Sequence, residues 1–229
     1  MLPALFGRDC WVFDLDNTLY RADAHFFRQI DVKMTDFIAR HFSMHTDAAS
    51  QLRKDYWAQY GTTLSGLMAV HGLDPAEFLE YVHDVDLSLL KPDPALRQCI
   101  QGLPGQKLIY TNGSKAHAQN VAGHLNLFDL FDASFGIEDA NYIPKPKREP
   151  YEIFNERFNI TPSAAVFFED NILNLEVPKD MGMVTVLVVS DEDFSDAPEV
   201  VRPSGRTAKA DWVDFVTNDL SAWLAQHTQ

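Results

Sequence analysis

The chain has 229 residues, of which 46% are hydrophobic and 12% aromatic, as is typical of a globular protein with one large core and room for a small second domain. Its 33 acidic and 19 basic residues give a net charge of −14, and this charge argues against binding to DNA or RNA. No apolar segment is long enough to span a membrane, and the first residues lack the basic region of a signal peptide. Because the only two cysteines are Cys10 and Cys99, we expect reduced thiols and a cytoplasmic protein.

The first predicted element is a short strand that ends in acidic residues. An apolar run covers residues 10–13. Asp14, Asp16 and Thr18 follow it at alternate positions. Two neighbouring carboxylates repel each other, and a divalent cation such as Mg²⁺ relieves that repulsion by binding their oxygens. The same residue types are common in an ordinary turn, so this stretch alone leaves a metal site and a turn as equal alternatives.

Four helices are predicted between residues 22 and 86, where no convincing strand is found. Hydrophobic residues recur at helical spacing from about Ala24 to His41. Three shorter periodic segments follow, with stops at Gly61 and Gly72 and a start signal at Asp74-Pro75. We interpret this region as a helical insert.

From residue 87 onward, short apolar strands alternate with helices. The predicted strands are 107–110, 133–137, 165–168 and 184–189. The predicted helices lie near residues 94–100, 114–125, 150–158, 178–181 and 211–225, and 193–209 is predicted to be a surface loop. The alternation predicts an α/β fold with a Rossmann-like, doubly wound parallel sheet. Residues 1–21 and 87–229 would form this core domain, and residues 22–86 a separate helical domain.

Two later strand ends offer groups that could bind an anion. Active sites of such sheets lie beyond the carboxyl ends of the strands. The segment Thr111–Ser114 can donate to an anion through hydroxyl and backbone groups, although it also fits an ordinary turn into a helix. Lys145, between two prolines, could neutralise a phosphoryl group and hold the carboxylate of the nucleophile, whereas we interpret Lys147 and Arg148 as solvated.

A fourth strand end carries a second acidic pair. Glu169 and Asp170 directly follow the apolar run at 165–168. Such acids must turn toward a metal or toward solvent. The alternative is that Asp170 caps the next helix, which would leave Glu169 without a role.

In this order the four strand ends resemble the motifs of haloacid dehalogenase-superfamily phosphohydrolases. The matching motifs are DLDNT at 14–18, YTNGS at 110–114, Lys145 in PKP, and FEDN at 168–171. The helical insert resembles the C1-type cap of that family, so the resemblance covers nearly the whole chain. Three further stretches, at 26–38, 144–154 and 174–183, resemble the pyrimidine 5′-nucleotidase branch. Many relatives continue the helix after the fourth motif with an alanine where this chain has Pro178, so we expect a helix to restart there.

The resemblance implies roles for the residues that would react with the substrate. Asp14 would be the nucleophile and form an aspartyl-phosphate. Asp16 would be the general acid for the leaving oxygen and then the general base for water. Thr111 and Lys145 would hold the phosphoryl oxygens, assisted by the backbone of Asn112.

The resemblance also implies a metal site and two substrate contacts. Mg²⁺ would be bound by Asp14, by the backbone carbonyl of Asp16 and by Asp170. Glu169 stands where many relatives carry aspartate, and it would bind the ion directly or through water. Tyr20 and His25 follow the nucleophile and would contact the leaving group of the substrate.

The implied activity is that of a Mg²⁺-dependent phosphomonoesterase for a small phosphorylated metabolite, and the narrower resemblance favours a pyrimidine nucleoside 5′-monophosphate. We expect a monomer or homodimer with neither nucleic acid nor membrane as partner. A metal-free 2-haloacid dehalogenase would need neither Asp16 nor Asp170. A phosphomutase, or a sugar-phosphate or phosphoglycolate-type phosphatase of the same superfamily, would share all four motifs, and a non-catalytic binding module could share the fold. UMP, CMP, other nucleotides and phosphosugars stay open as substrates.

Overall fold

The computed structural model describes residues 5–21, 24–190, 203–205 and 208–227. The side chains of residues 24 and 25 lie outside this description, as does most of the predicted loop at 193–209. Contacts divide the chain into two compact units, Met1–Ala22 with Leu90–Gln229 and Asp23–Leu89. Within the described ranges, no helix combines the length and the apolarity that a membrane crossing requires.

The described residues form six strands and nine α-helices. The strands are β1 (Cys10–Phe13), β2 (Gln106–Tyr110), β3 (Ala133–Phe135), β4 (Ala165–Glu169), β5 (Val184–Val188) and β6 (Phe215–Thr217). The helices are α1 (Ala24–His41), α2 (Thr46–Tyr60), α3 (Thr63–His71), α4 (Pro75–Val82), α5 (Pro94–Gly102), α6 (Lys115–His124), α7 (Arg148–Arg157), α8 (Glu176–Met181) and α9 (Leu220–His227).

All six strands form one parallel sheet in the order β3-β2-β1-β4-β5-β6. This arrangement confirms the predicted α/β fold with a Rossmann-like sheet. Strand β1 lies between β2 and β4, and its four residues are all buried. Parallel strands covered on both faces need such continuous apolar runs, which explains why β1, β4 and β5 were visible in the sequence.

Aromatic side chains fill both sides of the sheet. On one side Tyr110 packs against Phe135 and Phe154 within a large buried cluster. On the other side Phe168 stacks on Phe13 and meets the edge of Trp223 from α9. These contacts hold β1, β2 and β4 rigidly, and the ends of those strands are therefore well-fixed places for functional groups.

The predicted helix at 211–225 is wrong in its first half. Residues Phe215–Thr217 instead form β6, which pairs in parallel with β5 at the edge of the sheet. Asp214 explains the difference, because its carboxylate accepts hydrogen bonds from the backbone and the hydroxyl of Thr185 and so aligns this segment with β5. Of the predicted helix, only the part from Leu220 onward is helical, and it belongs to α9.

The predicted restart of a helix at Pro178 is displaced by two residues. A 3₁₀ turn at Ile172–Leu175 leads directly into α8, which begins at Glu176. Pro178 therefore lies in the first turn of α8, where its missing N–H removes no helical hydrogen bond. The alternative role for Asp170 as a helix cap is also wrong, since Asn171 caps the turn through its contact with the backbone of Leu173.

The second unit contains the four predicted helices, α1 to α4. Asp74 accepts a hydrogen bond from the backbone of Ala76 and caps α4, as its position before Pro75 predicted. Gly61 and Gly72 end α2 and α3 in the left-handed conformation. Helices α2 and α3 approach closely at Gly66, where an added Cβ would lie 2.4 Å from Cβ of Tyr56.

Replacing Gly66 with alanine is expected to destabilise the protein by about 1–3 kcal/mol, because the new methyl group would overlap Tyr56 and force the helices apart. Gly123→Ala in α6 is the matched control, since a Cβ at that position meets nothing within 4 Å. The control should be neutral or stabilise by up to about 1 kcal/mol through its higher helix propensity. Urea denaturation followed by circular dichroism measures both effects, and equal stability of the two variants would contradict this view of the interface between α2 and α3.

Candidate active site

The carboxyl ends of β1, β2 and β4 lie side by side because β1 is the middle strand of the three. Asp14 directly follows β1, and Thr111 directly follows β2. Glu169 is the last residue of β4, and Asp170 comes next. The topology therefore places three of the four predicted strand ends at one edge of the sheet, and the loop after β3 brings Lys145 to the same place.

Asp14 is buried, and both of its carboxylate oxygens accept hydrogen bonds. The Nζ of Lys145 lies 2.8 Å from Oδ1, and the hydroxyl of Thr18 lies 3.1 Å from Oδ2. The backbone N–H of Asp14 donates to Phe168 at 2.9 Å and continues the pairing of β1 with β4. The carboxylate is thus fixed in direction by its own turn and by a distant lysine.

Lys145 connects two acidic residues that are far apart in sequence. Its Nζ also donates to Oε2 of Glu169 at 2.6 Å and to the backbone carbonyl of Tyr110 at 3.1 Å. Burial of the ammonium lowers its pKa, but the attraction of Asp14 and Glu169 outweighs burial and raises the pKa above its ordinary value. Lys145 is therefore protonated at every physiological pH.

The side chain of Asn112 holds the backbone of Lys145 from both sides. Its Oδ1 accepts from the N–H of Lys145 at 2.8 Å, and its Nδ2 donates to the carbonyl of Lys145 at 3.3 Å. The side chain thus positions the lysine, whereas the predicted substrate contact concerned the backbone of Asn112. The Thr111 hydroxyl accepts from the N–H of Gly113 at 2.9 Å, which orients the hydroxyl proton away from that bond.

Three buried carboxylates lie close together around this lysine. One oxygen from each of Asp14, Glu169 and Asp170 lies within 4.8 Å of the others. Asn17, in the left-handed conformation at φ 62°, donates to Asp170 at 3.1 Å, and Asn174 donates to Glu169 at 3.1 Å. With one ammonium among three carboxylates, the cluster carries two uncompensated negative charges when ionised. An oxygen-only donor set of this kind suits a hard divalent cation.

The uncompensated charge changes the protonation of two of these acids. Burial and the repulsion of Glu169 raise the pKa of Asp14 to about 7, although Lys145 acts in the opposite direction. Burial, Glu169 and Asp14 raise the pKa of Asp170 well above its ordinary value. Without a cation, Asp14 and Asp170 of the folded protein therefore keep their protons at pH values at which the same residues of the unfolded chain are already ionised.

Asp16 lies in a different environment from Asp14. About 25% of its side chain is exposed, compared with 8% for Asp14. The hydroxyl of Tyr20 donates to Oδ1 of Asp16, and Nε2 of His117 lies 3.1 Å from the same oxygen. Tyr20 was predicted to contact substrate, and here its hydroxyl is bound to Asp16. His25 can be placed only on α1, because its side chain lies outside the described part of the chain.

The sequence interpretation missed His117, which is only 1% exposed. The available signal was its spacing, because His117 occupies the apolar stripe of α6 together with Ala118 and Val121. A polar residue at such a position must have a buried partner. The sequence does not reveal that the partner is Asp16, since 101 positions separate the two residues.

The profile of the haloacid dehalogenase-like hydrolases matches residues 9–182, which is most of the chain. The match contains all four strand ends described above. This chain is a member of that family. The matched range of this haloacid dehalogenase-like hydrolase includes strands β1 to β4 and the clustered side chains that follow them.

One curated relative of this hydrolase comes from yeast. Phosphate metabolism protein 8 of Saccharomyces cerevisiae is 28% identical in an alignment of 216 positions that covers 85% of this chain. The same alignment covers 66% of the yeast protein, so the chain spans just under two thirds of the length of that relative.

Two solved structures show the same fold. The L-2-haloacid dehalogenase of Xanthobacter autotrophicus, with chloropropionic acid covalently bound, has 20% identity and a TM-score of 0.57 over 95% of this chain and 97% of its own. The HAD phosphatase of Thermococcus onnurineus has 18% identity and a TM-score of 0.61 over 91% of this chain and 92% of its own. At these identities the likeness extends to the fold alone and does not decide between the two chemistries.

The stability of this hydrolase in EDTA is expected to fall as pH rises between 3.8, the ordinary pKa of Asp14, and its raised value of about 7. The folded protein keeps this proton in that range while the unfolded chain has lost it, so raising the pH favours unfolding. Thermal melts from about pH 5.5 to about pH 8 should therefore show a decreasing unfolding temperature.

Asp14→Asn should weaken this pH dependence, because the amide has no proton to lose. Asp9→Asn is the matched control, since Asp9 is exposed at the other end of β1. The control should retain the wild-type dependence. An equal slope in wild type and Asp14→Asn would show that the acid cluster does not contribute to it.

Proposed function

We propose that this hydrolase is a Mg²⁺-dependent phosphomonoesterase that acts on a small phosphorylated metabolite through an aspartyl-phosphate. The observation that carries the proposal is the buried cluster of Asp14, Glu169 and Asp170 around Lys145. A carboxylate nucleophile can approach a negatively charged phosphoryl group only where positive charge offsets both anions. Lys145 provides one such charge, and a divalent cation at the acid cluster would provide the rest.

Asp14 and Asp170 are the carboxylates that we assign to the ion, together with the backbone carbonyl of Asp16. Glu169 already accepts three hydrogen bonds, from Lys145, from the Asn174 side chain and from the backbone of Asn171. We therefore propose that Glu169 mainly binds Lys145, and that it contacts the ion only through a water molecule. When bound, Mg²⁺ supplies positive charge to the phosphoryl oxygens and removes the repulsion between the two aspartates.

In the first step a carboxylate oxygen of Asp14 attacks the phosphorus, and the bond from phosphorus to the ester oxygen breaks. Asp16 gives its proton to the departing ester oxygen, which leaves as an alcohol. The positive charge of Lys145 and the hydroxyl of Thr111 stabilise the phosphoryl oxygens during the transfer. Thr18 keeps its hydrogen bond to the other side of the Asp14 carboxylate and so fixes the direction of attack.

In the second step a water molecule attacks the phosphorus of the aspartyl-phosphate. Asp16, now ionised, takes a proton from that water, and the bond between phosphorus and Asp14 breaks. Inorganic phosphate leaves with the oxygen of the water, and both aspartates return to their initial states. One residue serves as acid and then as base because it regains in the second step the proton that it gave in the first.

The competing activity is that of a dehalogenase, since a haloacid dehalogenase from Xanthobacter has the same fold. A haloacid carries one carboxylate and releases halide, which leaves without needing a proton. Such chemistry gives no role to an acid held beside the nucleophile by Tyr20 and His117, or to the buried Asp170. These residues are the reason for preferring a phosphate ester.

Within phosphate esters, we propose a pyrimidine nucleoside 5′-monophosphate as substrate. The support is the resemblance of residues 26–38, 144–154 and 174–183 to the pyrimidine 5′-nucleotidase branch. The name of the yeast relative places that protein in phosphate metabolism, which agrees with a phosphate ester but identifies no base. Aromatic residues of the second unit do not strengthen the choice, since Phe26 and Tyr56 are buried within it.

Purified protein is expected to release phosphate from p-nitrophenyl phosphate with Mg²⁺ and to lose this activity in EDTA. Asp14→Asn should lower kcat by at least about 10³-fold, because the amide cannot form the covalent intermediate. Asp9→Asn, the exposed control, should keep wild-type activity. Unchanged phosphate release by Asp14→Asn would contradict the mechanism, and chloride release from 2-chloropropionate without Mg²⁺ would favour the dehalogenase.

The substrate assignment is tested with a panel of phosphate esters at equal concentration. We expect kcat/KM for UMP or CMP to exceed that for purine nucleotides, phosphoglycolate and hexose phosphates by at least about tenfold, a difference that one or two specific contacts can supply. A higher value for a phosphosugar would contradict the pyrimidine assignment and leave the phosphatase mechanism intact. A requirement for a bisphosphate activator would instead indicate a phosphomutase.

A further inference from the structure

His117 is held rigidly at the carboxyl end of the sheet. The hydroxyl of Ser114 accepts a hydrogen bond from the N–H of His117 at 3.1 Å and caps α6 directly after β2. The backbone of His117 is therefore fixed by the first turn of the helix. Its side chain is only 1% exposed, so the polar ring requires a partner inside the protein.

That partner is Asp16, which is bound from two independent directions. Tyr20 reaches Oδ1 from the same turn, four residues after Asp16, and Nε2 of His117 reaches it from α6. Oδ1 of Asp16 accepts from Tyr20, and we assign the proton of the second contact to Nε2 of His117, which makes the ring a donor to the same oxygen. With one hydrogen bond the Asp16 carboxylate could still rotate, whereas two hydrogen bonds from separate elements restrict its orientation.

Exposure differs sharply across this group. Tyr20 is 7% exposed and His117 1% exposed, while 25% of the Asp16 side chain faces solvent. The two donors are therefore buried, whereas part of the Asp16 side chain is accessible to solvent. This arrangement contrasts with Asp14, whose oxygens are held by Lys145 and Thr18 inside the protein.

We propose that His117 is a positioning residue for Asp16: together with Tyr20 it anchors Oδ1, so that Oδ2 is the oxygen that exchanges a proton with the leaving group. This inference rests on the proposed phosphomonoesterase function. The proton passes from Oδ2 to the ester oxygen as the bond to phosphorus breaks, and a proton from the attacking water returns to Oδ2 in the second step. We assign His117 no contact with the substrate or the phosphorus, so its effect on the reaction passes through Asp16.

Leaving-group dependence separates this role from a merely structural one. An alkoxide leaving group needs a proton from Asp16, whereas p-nitrophenolate leaves readily without one. His117→Asn keeps a polar side chain in the pocket but is too short to reach Asp16. We expect it to lower kcat/KM for an alkyl phosphate about 10–100-fold and that for p-nitrophenyl phosphate less than about threefold.

Two further variants provide the controls. The side-chain amide of His117→Gln can place a donor near the position of Nε2, and it should recover part of the activity toward the alkyl phosphate. His124→Ala removes a histidine from the same helix, whose Nε2 contacts the backbone carbonyl of Leu90 at 3.0 Å. It should affect both esters equally. An equal loss on the two esters in His117→Asn, or no recovery in His117→Gln, would overturn the proposal.

A crystal structure of His117→Asn gives a readout that does not depend on turnover. The proposal expects the Asp16 carboxylate to rotate away from its wild-type orientation while Asp14 and Lys145 stay in place. An unchanged Asp16 would overturn the anchoring role even if activity fell. A wild-type protein that hydrolyses neither ester would refute the proposed function and the proton exchange with it, whereas the crystal structure would still decide what holds Asp16.

Discussion

The buried ammonium of Lys145 is the interaction on which the active end of the sheet depends. Its Nζ lies 2.8 Å from a carboxylate oxygen of Asp14 and 2.6 Å from one of Glu169. These two acids are 155 positions apart in the sequence, and the lysine joins them. Removing one partner from a buried ion pair costs about 3–5 kcal/mol, because the remaining charge has no counter-ion. The contact therefore requires β1 and β4 to be neighbours. It also requires the loop after β3 to cross the end of β2, where Asn112 binds the backbone of the lysine. The ion pairs of Lys145 with Asp14 and Glu169 therefore depend both on the strand order and on the position of the lysine.

The two aspartates of the first motif differ because their neighbours differ in charge. Asp14 is held by an ammonium and is almost fully buried, which fixes the carboxylate and limits its contact with water, as the proposed role of nucleophile requires. Asp16 is held by a phenol and an imidazole and is partly exposed. Two carboxylates in unlike environments can take unlike roles in one reaction, one attacking and the other exchanging protons. Residues two positions apart acquire this difference because the turn between them directs one side chain inward and the other outward.

The sequence was sufficient for strands β1 to β5 and for the acidic strand ends, because both depend on local patterns. Continuous apolar runs revealed β1, β4 and β5, and capping residues such as Ser114 and Asp74 marked helix starts. It was insufficient where a distant partner decides the outcome. Strand β6 forms because Asp214 binds Thr185 on β5, although its residues also fit helical spacing. The links of His117 to Asp16 and of Glu169 to Lys145 likewise join positions that no local pattern relates. The order of the four motifs predicted which chemistry to look for, and only the fold shows which groups hold one another.

A net charge of −14 argues against binding to polynucleotides but is compatible with the proposed binding of a single phosphate ester, because the two ligands would meet charges at different distances. Charges on the surface are screened by salt beyond about 8 Å at physiological ionic strength. A polymer lies along the surface and meets many of them within that distance. The proposed small ester would instead enter the end of the sheet, where Asp14, Lys145, Glu169 and Asp170 are buried and screened much less. There Lys145 is a fixed positive charge, and a divalent cation bound by the carboxylates would be a second one. An acidic protein could thus bind a small anion because its local field at the strand ends is set by a few buried groups rather than by its total charge.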